Sequence, residues 1–260
     1  MDIIVCIKQV PDTTEVKINP ETNTLIREGV PSIVNPFDEN AVEAALQLKE
    51  KHGGSVTVIT MGPPQASEAL KTCVAMGADH VYLVSDRAFA GSDTWATSYT
   101  LSQAIKKLGK FDLIICGKQA IDGDTAQVGP GIAEWLGLPQ VTFVSRVEVN
   151  GRAAKVERLL EEANEIVECP LPAVLTVVKQ INEPRLPSLK GLMRAKKAEI
   201  KTLNAAEIEG DPKNMGLNGS PTSVVRIFTP TPKGHGEVLS GEPEEIVNKL
   251  IGKIKDRKII

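Results

Sequence analysis

The chain has 260 residues, 42% hydrophobic and 24% charged, and its 30 basic and 33 acidic side chains leave a net charge of −3. This composition suits a globular protein that buries roughly 70–75% of its unfolded surface, and it excludes disorder, collagen or a coiled coil as readings of the whole. The missing basic excess argues against a dedicated nucleic-acid binder, and no apolar run reaches the roughly 18–20 residues of a membrane-spanning helix.

Apolar runs alternate with helical patterns through the first two-thirds of the chain. Ile3–Ile7 predicts a buried strand and, as an opening segment, no signal peptide. Residues 36–51 predict a helix, because Phe37, Ala41, Ala44, Ala45 and Leu48 fall on one face. Strand Val56–Met61, helix 64–76, strand Val81–Val84, helix 93–108, strand Leu113–Cys116, helix 125–136 and strand Val141–Val144 follow. This β-α-β-α order calls for the α/β class: an open, mostly parallel sheet with helices on both faces, as the continuous apolar strands also require. After residue 145 the pattern changes. Val147–Val149, Asn150-Gly151 and Ala153–Val156 predict an antiparallel hairpin with a type I′ turn. Ile166–Cys169 is a further strand candidate, Ala173–Val178 returns to the buried type, and an irregular segment with three prolines runs from Pro172 to Pro187. Residues 204–243 show little periodicity, and a short last helix is expected near 243–255. The expected division is therefore an α/β domain over 1–200 and a segment over 201–260 that cannot build its own core. That segment is either an arm lying on another molecule or a tail packed on the same subunit.

Cys6, Cys73, Cys116 and Cys169 are far apart, with no CxxC and no Cys/His cluster. Neither a disulfide framework nor a metal site is expected, and a cytoplasmic protein fits best. His52, His80 and His235 are isolated and read as surface or loop residues.

In open α/β sheets, ligands bind beyond the carboxyl ends of the strands, near the point where strand order reverses. The segments following the strands, 6–11, 61–65, 85–97 and 117–131, are therefore the candidates. Gly117–Gly131 is the most informative, a long loop from a strand into a helix. Its four glycines would let backbone approach a ligand, Thr125 is a candidate N-cap, and the helix start would attract phosphate. Asp122 and Asp124 would repel phosphate, so they are expected to accept bonds from ribose hydroxyls or backbone amides. The plain alternative is a solvated turn, but a loop this long in this position favours binding. It is neither a Walker loop nor a GxGxxG fingerprint. Asn35-Pro36-Phe37-Asp38-Glu39 is a helix-start signature, with Asn35 as N-cap and Pro36 at N1, and structure alone accounts for it. Met61-Gly62 opens a strand-to-helix turn. No GxSxG, HExxH or kinase set is present, so any chemistry would be carried by a cofactor.

Five blocks in order carry a resemblance. They are Val5–Asp12, Asn35–Ala45, Gly117–Asp122, Leu171–Val174, and Asn182–Arg185 continuing to Met193–Lys197. Along nearly its whole length the chain resembles the small, or beta, subunit of electron-transfer flavoproteins. The resemblance implies an adenine-nucleotide-binding, Rossmann-like fold in a heterodimer whose alpha subunit holds an electron-transferring FAD. It implies AMP in the ordinary members and a second FAD in the electron-bifurcating ones. Nucleotide contacts would come from Cys6, Asn35, Pro36, Phe37, Asp38, Met61, Gly62, Asp122, Gly123, Asp124, Thr125, Gln127 and Val128.

The segment Phe89–Tyr99 is similar to the bifurcating members, with Ser92, Thr94 and Thr97 as hydroxyl donors for a second phosphate and flavin ring. FAD is therefore expected over AMP, with NAD binding transiently at a site shared with the alpha subunit; the plain alternative is a polar helix start capped by Asp93. The resemblance also implies a partner-recognition loop over 182–197, with Pro187, Leu189 and Met193 meeting a partner dehydrogenase and Leu189 as the protruding anchor. An ordinary buried leucine is the alternative for Leu189. The expected partners are the alpha subunit, an acyl-CoA or 2-hydroxy-acid dehydrogenase, and ferredoxin or flavodoxin. The C-terminal arm would pack on the alpha subunit. The rivals are an AMP-holding structural subunit and an ATP-sensing regulatory module without redox chemistry.

Overall fold

The computed structural model describes residues 1–12, 17–19, 24–26, 32–226 and 236–259, with backbone alone for 17–19 and 24–26. The chain divides into Met1–Val225 and Arg226–Ile260. In the first unit the strands and helices run β1 (Asp2–Cys6), β2 (Gln9–Pro11), β3 (Lys17–Asn19), β4 (Thr24–Ile26), β5 (Ser32–Val34), α1 (Pro36–His52), β6 (Ser55–Met61), α2 (Ser67–Met76), β7 (His80–Val84) and α3 (Thr94–Leu108). Then come β8 (Leu113–Gly117), α4 (Val128–Leu136), β9 (Gln140–Asn150), β10 (Ala153–Leu159), β11 (Asn164–Pro170), β12 (Ala173–Val177), α5 (Leu189–Lys196) and β13 (Lys201–Leu203).

Nine strands form one sheet in the order β11-β10-β9-β12-β8-β1-β6-β7-β13. From β9 to β13 every neighbouring pair is parallel; β10 and β11 add an antiparallel meander at one edge. The chain moves outward from β1 through β6 to β7, then returns to the other side of β1 with β8. Strand order therefore reverses between β1 and β8.

Both faces are dry at the centre of the sheet, along β1, β8 and β12, which explains the unbroken apolar strands there. Alternate residues serve opposite faces. Ile3 and Val5 of β1 join Val56, Val58, Leu113, Ile115 and Leu175 in a core with α1 and α2. Ile4 and Cys6 join Ile59, Ile114, Cys116 and Val174 in a second core with Leu101 and Ile105 of α3 and Ile132 of α4. The α/β class with helices on both faces is as expected.

Several local expectations are corrected. Asn150 pairs with Ala153, so the hairpin turns on Gly151-Arg152. Of these two only Gly151 has a positive φ, 60°, which is the type II′ pattern rather than I′. A helix, α5, follows the proline-bearing segment; Ser188 starts it by accepting a hydrogen bond from the Gly191 amide. Residues 201–225, expected beyond the domain boundary, belong to the larger unit. β13 extends the sheet beside β7, and Ile208 and Met215 are buried with Phe89 and Tyr99. The boundary is therefore near 225, not 200.

In the second unit, α6 (Pro243–Asp256) begins with Glu244 and Glu245 and ends with Lys253 and Lys255, matching its dipole at both ends. It carries an exposed apolar stripe of Val247, Leu250 and Ile251. No described helix is long and apolar enough to cross a membrane.

Candidate functional site

The carboxyl ends of β8, β1, β6 and β7 lie side by side, so the segments that follow these strands share one edge of the sheet. Cys6, Asn35–Asp38 and the loop after Gly117 meet at the reversal between β1 and β8. Met61-Gly62 lies at the end of β6, and Ser92–Thr97 follows β7.

Buried polar side chains build the centre of this edge. Asp38, on the first turn of α1, accepts the Lys8 amide on Oδ2 at 2.7 Å and the Gly117 amide on Oδ1 at 3.1 Å. One carboxylate thus ties the ends of β1 and β8 together. Burial pushes the Asp38 carboxyl up to about 7, against the Lys8, Asn35 and Gly117 hydrogen bonds that favour its charged form. Asn35 is fully buried and was expected to cap α1, but its side chain makes no cap bond. It reaches the β8–α4 loop instead: Nδ2 donates to the Gln119 carbonyl at 2.8 Å, and Oδ1 accepts the Ile121 amide at 3.1 Å. A residue 84 positions away in sequence needed this side chain more than the helix did. Pro36 occupies the first turn of α1 as expected. Phe37 packs its ring under the Lys179 ammonium, 5.2 Å away.

Cys6 lies beside Cys116 in register on the next strand. The hydrogen bond to Cys116 and burial push the Cys6 thiol well above its ordinary range. It is therefore a neutral wall of the site rather than a nucleophile. All four cysteines are unpaired and buried.

The loop differs from expectation in three ways. Asp124 and Ala126 have φ of 53° and 55°, so the chain is left-handed on both sides of Thr125 and α4 starts only at Val128. Thr125 is not an N-cap; it is exposed in the loop, as is Gln127, while Val128 packs against the α3–α4 core. Second, three of the four glycines serve packing. A Cβ on Gly117 would lie 2.2 Å from Asp38 Oδ1, one on Gly129 2.5 Å from Thr176, and one on Gly131 2.5 Å from Ser98 Oγ. Only Gly123 is open, with Lys8 Nζ at 3.9 Å. Third, Asp122 and Asp124 have partners within the chain. Lys8 Nζ donates to Asp122 at 2.6 Å, and Gln119 Nε2 donates to Asp124.

At the end of β7, Asp93 caps α3, accepting from the Trp95 and Ala96 amides at 3.0 and 3.1 Å. Its other oxygen accepts the Thr222 amide and hydroxyl at 3.0 and 2.8 Å. The Ser92 hydroxyl donates to the Phe89 carbonyl at 2.8 Å. Of the three hydroxyls expected here, those of Thr94 and Thr97 have no hydrogen bond among the described residues. A cavity of about 620 Å³ opens on the outer side of this segment, between Arg87, Ala90, Glu209, Met215 and Leu217. It lies away from the β1/β8 reversal, where the buried polar groups converge.

Pro187, Leu189 and Met193 form a separate region. Leu189 is 77% and Met193 59% exposed, and Leu186, which no sequence pattern marks, is 90% exposed. The buried alternative for Leu189 is excluded. Lys8, Gln119 and Arg185 were also missed as structural partners. Their pairings join residues far apart in sequence, and no local pattern announces them.

The electron transfer flavoprotein domain matches residues 22–208. An electron transfer flavoprotein subunit beta from Thermoanaerobacterium thermosaccharolyticum is 54% identical over the whole of both chains. The chain belongs to the electron transfer flavoprotein family, on its beta-subunit side. CarD, a subunit of the caffeyl-CoA reductase-Etf complex of Acetobacterium woodii, is 53% identical over the whole of both chains. The FixA protein of Sinorhizobium fredii is 47% identical over 98% of this chain and 93% of its own.

Proposed function

We propose that this chain is the beta subunit of an electron-bifurcating flavoprotein. It binds FAD across the carboxyl ends of β8, β1, β6 and β7 and accepts electrons from NADH. It delivers them to the FAD of an alpha subunit and to a low-potential acceptor, ferredoxin or flavodoxin. The alpha flavin in turn serves an acyl-CoA or 2-hydroxy-acid dehydrogenase, all in the cytoplasm. The observation that carries this reading is the end-to-end likeness to CarD, a subunit of a reductase–flavoprotein complex.

The residues present fit a dinucleotide in two respects. The Thr94 and Thr97 hydroxyls have no hydrogen bond among the described residues, and the exposed turn at Gly123–Thr125 leaves backbone free to approach a ligand. The flavin, when bound, supplies hydride acceptance and single-electron transfer. The chain's own residues supply position. Asp38 and Asn35 fix the strand ends and the loop, Gly62 keeps the turn after β6 low, Thr94 and Thr97 donate to the second half of the ligand, and Thr125 and Gln127 line its phosphate side. NAD binds transiently at the boundary with the alpha subunit. The apolar stripe on α6 packs on that same subunit, and Pro187, Leu189 and Met193 meet the dehydrogenase.

One observation favours the AMP-holding alternative. Asp93 already occupies the Trp95 and Ala96 amides, so the start of α3 offers fewer free N–H groups to a second phosphate. Extraction of the purified heterodimer separates the readings. Two FAD per heterodimer support bifurcation, one FAD with stoichiometric AMP replaces it with the alternative, and no flavin rejects both. Replacing Thr94 and Thr97 by Val should remove one of two flavins and the NADH-driven reaction while the alpha flavin stays.

A further inference from the structure

The exposed leucines of the 182–197 segment lie on a span tied down at both ends. At its root, Asn40 of α1 donates to the Asn182 backbone carbonyl at 2.8 Å, and Asn182 returns a bond to the Asn40 carbonyl at 3.0 Å. Arg185 then locks onto the same helix. Its Nε and Nη2 donate to the two oxygens of Glu43 at 2.7 and 3.1 Å, and its Nη1 donates to Glu50 at 2.5 Å. Even its backbone amide donates to Glu43, at 3.2 Å.

At the far end α5 is seated on α2. Arg194 donates to the carbonyls of Val74 and Ala78 at 2.6 and 2.9 Å, and a Cβ on Gly191 would lie 2.1 Å from the Ala75 carbonyl oxygen. Between these ties Leu186 and Leu189 are 90% and 77% exposed.

Glu43 is the unusual member. Its side chain is only 5% exposed, although a glutamate on an outer helix ordinarily reaches water. Burial pushes its carboxyl up, but hydrogen bonds from Arg185 and Gln47 outweigh that and hold it below its usual range. A buried carboxylate met by a planar two-toothed donor fixes both distance and orientation, which an ammonium cannot do. Asn40, Glu43 and Glu50 fall at i, i+3 and i+10, on one side of α1. That same helix brings Asp38 to the β1/β8 reversal, so the span is referenced to the element that frames the candidate nucleotide site.

We infer that Arg185, held by Glu43 and Glu50, is a positioning residue that keeps the Leu186–Leu189 span preformed for docking of the dehydrogenase. The inference rests on the proposed docking role of this loop and adds what sets its affinity. An apolar anchor on a flexible loop loses affinity to the ordering of that loop on binding, and a fixed root removes the loss.

The test uses the intact heterodimer, with a purified acyl-CoA dehydrogenase as the probe acceptor and its reduction followed as acceptor concentration is varied. Four forms are compared: wild type, Leu189→Ala, Arg185→Ala and Arg185→Lys. Arg185→Ala is expected to raise KM for the dehydrogenase about tenfold while kcat and nucleotide content stay near wild type; the melting temperature falls, because the buried Glu43 carboxylate loses its partner. Arg185→Lys should recover part of the loss, because it keeps the charge but not the fork. Leu189→Ala should raise KM about thirtyfold, and adding Arg185→Ala to it should cost less than the product of the two. Amide hydrogen exchange across 183–190 should accelerate in Arg185→Ala and not in Leu189→Ala.

If Leu189→Ala leaves KM unchanged, or wild type fails to reduce the dehydrogenase, the docking reading itself falls. If Leu189→Ala raises KM but Arg185→Ala changes neither KM nor exchange, the docking reading stands and the positioning role is overturned. A drop in kcat or nucleotide content in both Arg185 variants also overturns it, since the arginine would then hold the fold rather than the loop.

Discussion

The β1/β8 edge and the 182–197 loop are built on opposite plans. At the edge, polar side chains go inward. Asn35 and Asp38 are buried and spend their hydrogen bonds on backbone of the same subunit. In the loop, apolar side chains go outward, and ion pairs behind them hold the chain in place. The edge is therefore a rigid frame whose failure would be felt as unfolding. The loop is a surface whose failure would be felt only when something docks. The two plans predict different responses to substitution, and the size of the response separates them.

The largest effect is expected at Gly117. A methyl group there would overlap Asp38 Oδ1 at 2.2 Å and the Phe37 backbone carbon at 2.7 Å. Neither can move without releasing the first turn of α1 from the strand ends. Gly117→Ala should cost about 3 kcal/mol, the upper end for overpacking of a dense interior, and the proposed nucleotide binding should be lost with it. Urea unfolding of the heterodimer measures the first and nucleotide extraction the second. A variant with wild-type stability would show that the frame is looser than drawn.

Asp38 should give the next largest effect, with a pH signature. Its carboxyl is raised to about 7 in the folded chain, above the roughly 3.9 of an unfolded aspartate. A group with a raised pKa binds its proton more tightly when folded. Its stabilising contribution is therefore complete below about pH 4 and is lost as pH rises through 7. Wild-type stability should fall between about pH 4 and 7 and level off above that, and Asp38→Asn should flatten that fall. The amide also presents one acceptor where the carboxylate presents two, so either Lys8 or Gly117 loses its partner, at about 1–3 kcal/mol. Melting temperatures across that pH range test both; equal slopes in the two proteins would remove Asp38 as the source.

What the sequence made legible follows from what is local. The apolar runs Ile3–Ile7, Val56–Met61 and Leu113–Cys116 are strands because each is self-contained, and their alternation with helices dictates a parallel sheet. The segments after those strands could be named from topology alone. The roles within them could not. Asn35 looks like a cap because caps are local, yet its partner is Gln119. Thr125 looks like a cap because the left-handed residues Asp124 and Ala126 are not glycines and give no warning. The start of α5 at Leu189 was hidden by Pro184 and Pro187, which signal irregular chain but also suit the entry to a helix. Beyond β13, residues 204–225 show little periodicity because they close over the start of α3, through Asp93 and Thr222.

Lys8 and Asp122 lie on the rim of the frame, where the contrast should narrow. Their ion pair is 2.6 Å long but partly exposed, so solvent screens it. Lys8→Met should cost about 0.2–1 kcal/mol, less at high salt, and should speed release of the proposed nucleotide more than unfolding, because the pair tethers the exposed turn around Gly123. A loss of several kcal/mol would place the rim inside the frame.

The smallest effect belongs to the loop. Leu186 and Leu189 each expose most of their surface already, so folding removes little of their apolar area from water, and truncation forfeits almost none of the roughly 25 cal/mol per Å² that burial supplies. Neither belongs to an apolar core of the described residues, so truncation is not expected to open a cavity. Leu186→Ala with Leu189→Ala should shift stability by less than about 0.5 kcal/mol in either direction, as for other surface positions without structural duties. Ser188 must stay, since its hydroxyl caps α5. The same double variant should be among the most damaging for transfer to the dehydrogenase, where both leucines would become buried. Stability unchanged with docking lost is the outcome the outward plan demands. Docking unchanged with stability lost would assign the leucines to the frame and dissolve the contrast between the two regions.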